Sequence, residues 1–288
     1  MVYFYLSTLT LGSIIAVLAL GIFISMRIFD IPDITTDGSY TLGGAIAAVW
    51  LINQLPVGAV LIVAFAAGAL AGAITGYLHS YLKVNALLAG ILVMTALYSI
   101  NLMLMGRSNL PLLQQTTLFQ VITFLPSNVY TTLAWALAIL LLLFMAIDYL
   151  LKTDFGLAMR ATGVAETMMR ANGTNTTLMK LFGLAFSNGI VALTGALIVQ
   201  YQGFADINMG IGIVIVGLGS VMIGEAFSQV LRWNSLTMRL LGVVLGAILF
   251  RFILAFTLAI GIDPNWLKLI TALIVLIVII IPNLPQKK

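Results

Sequence analysis

Nine long apolar runs dominate the chain, and a run of that length has few places to go. The first, MVYFYLSTLTLGSIIAVLALGIFISM, contains no charged side chain. Crossing about 30 Å of hydrocarbon at about 1.5 Å of rise per residue takes roughly 20 residues. Spans are predicted at about 3–26, 40–54, 56–82, 85–106, 129–151, 180–201, 211–230, 237–260 and 266–282. The second is too short to cross unaided. The runs are continuous and do not alternate with polar residues, which excludes a membrane β-barrel. A hydrophobic content of 62%, with only 8% charged residues, excludes an ordinary globular chain. The expectation is an all-α, polytopic membrane protein with about nine hydrophobic segments, forming one transmembrane domain over residues 1–288. The first run lacks a basic leader and a small-residue cleavage pattern, so it is read as a retained helix.

The basic residues give an orientation. Lys152, Arg160, Arg170 and Lys180 crowd one loop, Arg232 and Arg239 a second, Lys287 and Lys288 the tail, and Lys83 ends the third span. Each pair of these positions is separated by an even number of spans, so all fit the cytoplasmic side under the positive-inside rule. The carboxy terminus is then cytoplasmic. The opposite loops are 107–128, 202–210 and 261–265, the first long enough to cap an outward-facing mouth. The amino terminus lies outside if all nine segments cross, and inside if the second dips in and returns.

Several chemistries are excluded. There is no cysteine, and His79 is the one histidine, so thiolate and histidine metal clusters are ruled out. No G-x-x-x-x-G-K-S/T phosphate loop occurs, so the chain does not hydrolyse ATP by itself. Gly217 and Gly219 match the dinucleotide fingerprint only in part and lie inside a span. The formal charge of +4 has no soluble basic domain to carry it, which argues against nucleic acid and for membrane orientation. What remains is transport. Glu225 and Arg251 are the ionisable residues well inside predicted spans, and they are read as pairing with each other or snorkelling. An ion-coupled secondary transporter or a passive facilitator stays open as an alternative.

Three further features bear on function. Gly68, Gly72 and Gly76, and Gly242 with Gly246, recur every fourth residue and predict close helix packing. The polar stretch 152–180 predicts a structured loop with a short amphipathic helix, a docking surface for a soluble partner. DIPDITTDGSYTLGGAIAA places three of the nine acidic residues, Asp30, Asp33 and Asp37, within eight positions. Asp37 is expected to cap the helix that follows it, with pathway lining as an additional role left open; Asp30 and Asp33 are expected to be solvated. Candidate translocation-pathway residues are Asp37, Ser39, Tyr40, Asn85, Thr95, Tyr98, Asn101 and Glu225. Of these, Thr95, Tyr98 and Asn101 fall at three-residue spacing on one helix face.

The run FGLAMRATGVAETMMRANGTNTTLMKLFGLAFSNGIVALTGALIVQYQGF, then NMGIGIVIVGLGSVMIGEA, resembles the cytoplasmic loop and following helices of the branched-chain amino acid type of ABC importer permease. The resemblance extends from about residue 10 to 282, and DITTDGSYTLGG is similar to the tryptophan or tyrosine subfamily. It implies a type II ABC importer-like permease in a bacterial inner membrane, importing a small solute, in particular an aromatic or branched-chain amino acid. It implies as partners an ABC ATPase subunit, an extracytoplasmic substrate-binding protein, a second copy of the chain and membrane lipid. No cofactor is implied for this chain; ATP and Mg would sit on the ATPase. By the same resemblance Arg160, Thr162, Gly163, Glu166, Met169, Arg170, Gly173 and Asn175 belong to a coupling helix that contacts the ATPase.

Overall fold

The computed structural model describes residues 2–113, 115–120, 129–263 and 266–283. Residues 121–128 of the expected cap, and Lys287 and Lys288, lie outside the described residues. Helices occupy the predicted runs: α1 (Val2–Phe23), α2 (Thr35–Ile52), α3 (Val57–Ser80), α4 (Ala86–Met105), α5 (Val129–Lys152), α8 (Thr176–Gln202), α9 (Ile213–Val230), α10 (Leu236–Ala259) and α11 (Leu267–Asn283). Between α5 and α8 the polar loop folds as α6 (Asp154–Val164) and α7 (Glu166–Ala171). Among the described residues seven helices are long and apolar enough to cross a membrane: α1 with its extension to Ile28, α3, α4, α5, α8, α9 and α10. The expected count of about nine includes α2 and the shorter apolar α11.

Two of these helices form the centre. In α1 and α8 the most apolar window is 83% buried, against 17–39% in the other five, so those two are surrounded by protein while the rest present a face to lipid. Glycine sets the approach of α3 to α8. A Cβ at Gly68 would meet Asn188 and Ala192, and one at Gly72 would meet the Leu184 carbonyl, so the expected small-residue face is the contact face. Gly242 and Gly246 likewise admit α10 against Gly224 and Ser220 of α9.

The chain has a basic end and an opposite end. At the basic end Glu225 of α9 pairs with Arg27 and Arg239, Asp148 with Lys152, and Glu166 with Arg170 and Lys180. At the opposite end β1 (Asn109–Pro111) pairs antiparallel with β2 (Phe204–Asp206), tying together the two loops expected on one side. The chain must therefore pass from Ile28, which lies against Gly163 of α6, to Val57 near the strands. It does so through α2, which runs from one end of the bundle to the other and does not return to the end it started from.

Candidate functional site

The site begins where α1 ends. Its last residues, Ile24–Ile28, wind as a π-helix, with Phe29 N–H donating to the Ile24 carbonyl at 3.3 Å and Ile31 N–H to the Ser25 carbonyl at 3.0 Å. Residues 29–34 then run irregularly to α2. Irregular backbone inside a membrane bundle has to find partners within the protein, and here Asp33 provides them. Its carboxylate accepts from the Thr35 N–H at 2.9 Å and from Asn188 Nδ2 at 2.6 Å, while Ser39 Oγ donates to Asn188 Oδ1 at 2.7 Å. Thr35 and Thr75 share a hydroxyl bond of 2.7 Å, and Thr36 donates to the Asp33 carbonyl at 3.0 Å. Asp33, Thr35, Ser39 and Asn188 are fully buried. The expectation that Asp33 is solvated is corrected: it is the hub that binds the break to α2 and α8. Asp30 is exposed, as expected.

Asp37 caps a helix, but not its own. Its Oδ2 accepts from Gly212 N–H at 2.9 Å and its Oδ1 from Val214 N–H at 3.0 Å, which satisfies the first turn of α9, 175 residues away in sequence. The start of α2 is served instead by Asp33. Two glycines make the arrangement fit: a Cβ at Gly210 would collide with the Asp37 carbonyl and Thr41 Oγ1, and Gly212 sits at φ +85°, a left-handed conformation that disfavours other residues. Asp37→Ala is expected to destabilise the protein by about 1–3 kcal/mol, because two backbone N–H groups lose their acceptor. Asp37→Asn, which keeps one acceptor oxygen, should lose less. Thermal unfolding of both variants in the same detergent checks the order.

Beside this cap lies a cavity of about 300 Å³, lined by Asp37, Gly38, Thr41, Met94, Thr95, Tyr98, Ser99, Asn101, Ile207 and Ile211. Four of the expected pathway residues, Asp37, Thr95, Tyr98 and Asn101, thus meet in one place. The other four do not. Ser39 is in the buried hub, and Tyr40 is 4% exposed in the central core. Asn85 accepts from Leu87 N–H at 2.9 Å as the cap of α4, at the basic end. Glu225 is also at the basic end; it pairs with Arg27 and Arg239, not with Arg251 as its sequence position implied. Arg251 lies against Gly12 of α1, near Tyr40 and Tyr201, and its buried Nε has no hydrogen-bond partner among the described residues. Asn188 and Thr75 were missed by sequence reasoning. The signal was present: an Asn or Thr in mid-span is a polar group that must be satisfied inside the bundle.

The loop at the basic end divides into an anchored and a projecting part. Thr153 caps α6, accepting from Gly156 N–H at 3.2 Å, and α6 buries Gly156, Met159 and Thr162, with Gly163 pressed on the Ile28 carbonyl. Arg160 lies on this helix. At Ala165 the backbone leaves helical geometry (φ −147°, ψ 79°), and α7, which carries Glu166, Met169 and Arg170, buries no residue. Gly173, at φ +80°, turns the chain into α8, where Asn175 accepts from Leu178 N–H at 3.1 Å. Glu166 clamps the projection: Lys180 Nζ and Arg170 Nη2 each donate to it at 2.6 Å. These bonds, Lys180's first, hold the Glu166 carboxyl below the ordinary glutamate range. Its folded value lies below its unfolded one, so the clamp's contribution is full above the unfolded value and is lost as pH falls through the folded one.

A bundle of lipid-facing apolar helices around a polar hub, with a cavity inside and an ion-paired projection at its basic end, has the form of a multi-pass membrane permease. The chain belongs to the family of the branched-chain amino acid transport system permease component, which it matches over residues 4–280. It is 36% identical over 279 residues to the tyrosine transport system permease protein of Clostridioides difficile, covering 97% of this chain and 91% of that one. It is 36% identical over 267 residues to an uncharacterised protein of Rickettsia prowazekii, covering 90% and 91%. To the ribose import permease protein RbsC of Haemophilus influenzae it is 26% identical over 284 residues, covering 96% and 84%. No solved structure matches the chain. The resemblance read from the loop and the glycine-rich spans is borne out: the chain is an ABC-type permease, a transport subunit.

Proposed function

We propose that this chain is the membrane-spanning half of an ATP-driven importer for an amino acid, working as a homodimer with two ATPase subunits and an extracytoplasmic binding protein. The amino acid class, aromatic in particular, is supported by the relative named for tyrosine transport, which is 36% identical over nearly the whole chain. The observation that carries the coupling is the α6–α7 projection. It is exposed at its tip, where Val164 and Met168 are 88% and 64% exposed, yet anchored by α6 and clamped by Glu166. An exposed tip on a rigid base can transmit a rigid-body stroke to the bundle. The exposed residues between Val164 and Asn175 then form the contact with the ATPase, which holds the ATP and Mg, while Thr162 and Gly163, turned onto the bundle, belong to the anchor and not to the contact. Asp37, Thr95, Tyr98 and Asn101 line the pathway on the α4 side, and the basic end faces the cytoplasm with the carboxy terminus.

The sidedness is open to a direct test, because the protein has no native cysteine. Cysteines placed singly at Gln115 and Asn208 should react with an impermeant thiol reagent in intact cells. A cysteine at Asn172, on the projection, should react only with a permeant one. Surface labelling at Asn172 would invert the orientation. Affinity purification of the permease should carry the ATPase with it in about equal amount; its absence from a stable, folded permease would contradict the coupling role.

A further inference from the structure

We infer that the cavity between α7, the start of α8 and the turn from α3 to α4 holds the phosphate head of an anionic phospholipid: Lys83, Arg170 and Lys180 line it against the single carboxylate of Glu166. Its volume is about 450 Å³, enough for a phosphate and the small polar group it carries.

The donors around this cavity outnumber the acceptors. Glu166 is already engaged at both oxygens: Oε1 accepts from Arg170 Nη2 at 2.6 Å and from Thr176 Oγ1 at 3.2 Å, and Oε2 from Lys180 Nζ at 2.6 Å. Arg170 Nε donates to Thr176 Oγ1 at 2.8 Å, and both the guanidinium and the Lys180 ammonium keep N–H groups to spare. Lys83 makes no ion pair among the described residues. In addition α4 and α8 both begin at the cavity, through Ala86 and Thr177, so the positive ends of two helices face it, against the carboxyl end of α3. Three cations facing one engaged carboxylate call for a further anion, and charge-assisted bonds from Lys and Arg suit a phosphate.

The surroundings favour a lipid over a free anion. Tyr77 and Tyr81, about half exposed and stacked with ring centroids 5.3 Å apart, end α3 just before Lys83. Tyrosines at the end of a spanning helix mark the headgroup level. Leu82, before Lys83, and Leu87 and Leu88, after Ala86, are also exposed, and α3 and α4 each leave most of their apolar window unburied. A basic pocket beside such a surface takes the head of a lipid whose chains lie along the helices. Because the phosphate shares Arg170 and Lys180 with Glu166, the lipid braces the α7 projection; the effect of that brace on coupling rests on the importer reading above, and the site itself does not.

Native mass spectrometry of the full-length permease in detergent, titrated with phosphatidylglycerol or with phosphatidylcholine of the same chains, tests the site. Phosphatidylglycerol should bind at one copy per chain and at least tenfold more tightly than phosphatidylcholine. Lys83→Gln, which leaves the Glu166 clamp intact, should lower that preference about fivefold, the worth of one lysine near an anionic headgroup. Lys152→Gln, at the same end but outside the cavity, should leave it unchanged. Equal binding of the two lipids, an unchanged preference in Lys83→Gln, or an equal loss in Lys152→Gln overturns the inference. Displacement of the lipid by millimolar inorganic phosphate would assign the cavity to a free anion and overturn the lipid. In the assembled transporter, replacing phosphatidylglycerol by phosphatidylcholine should lower substrate-stimulated ATP turnover at least twofold in the parent protein and much less in Lys83→Gln; turnover indifferent to the lipid in the parent overturns the brace. Selective binding by a permease that no ATPase drives would keep the site and sink the importer reading, whereas ATP-driven uptake by a permease without the lipid preference would do the reverse.

Discussion

Asn188→Leu is expected to be the most damaging single substitution in the bundle. Asn188 donates to the buried Asp33 carboxylate at 2.6 Å and accepts from Ser39 Oγ at 2.7 Å. Leucine is of similar size, so the loss is not a cavity but two stranded polar groups, one of them an acid, in a place water does not reach. Leaving a buried neutral group unpaired costs about 1–3 kcal/mol, and a charged one more. The expected total is about 3 kcal/mol or more, seen as a fall in midpoint temperature and in the yield of monodisperse protein. Ser39→Ala removes only one neutral donor and should cost about 1 kcal/mol. If the two variants melted alike, the hub would not be holding the break before α2.

The second large effect concerns coupling. Met169 N–H donates to the Ala165 carbonyl at 3.1 Å, the bond that closes the first turn of α7. Proline at 169 removes it and crowds that carbonyl, at about 3 kcal/mol within a helix interior. A six-residue helix with no buried residue has little else to hold it, since isolated helices this short are marginal. Met169→Pro should therefore unfold α7 locally while the spans melt as in the parent protein. ATPase co-purification, or substrate-stimulated ATP turnover where the complex survives, should fall tenfold or more. Unchanged turnover in a folded Met169→Pro permease would remove α7 from the coupling role.

The helices were legible because hydrophobic length is a local property: each predicted span lies within a few residues of a helix in the structure. The packing glycines were legible for the same reason, as spacing on one helix fixes one face. Partners were not. Asp37 carries the residue type and position of a cap, but the N–H groups it serves belong to α9, and nothing near Asp37 in sequence names them. Asp33 beside Pro32 looks like a solvated loop acid until Asn188 arrives from α8. Glu225 and Arg251 sit at helical positions that place them in neighbouring spans, yet Arg27, at the end of α1, takes the glutamate. In each case the residue's chemistry was readable, and its partner depended on long-range packing.

Whether a separate ATPase, acting on α7, drives transport through this bundle is decided by amino acid uptake into proteoliposomes containing the permease and the binding protein, measured with and without the ATPase and ATP. Uptake should appear only when both ATPase and ATP are present, and should be lost in Met169→Pro. Uptake by the permease alone, driven by a proton or sodium gradient and unaffected by that substitution, would contradict an ATPase-driven mechanism.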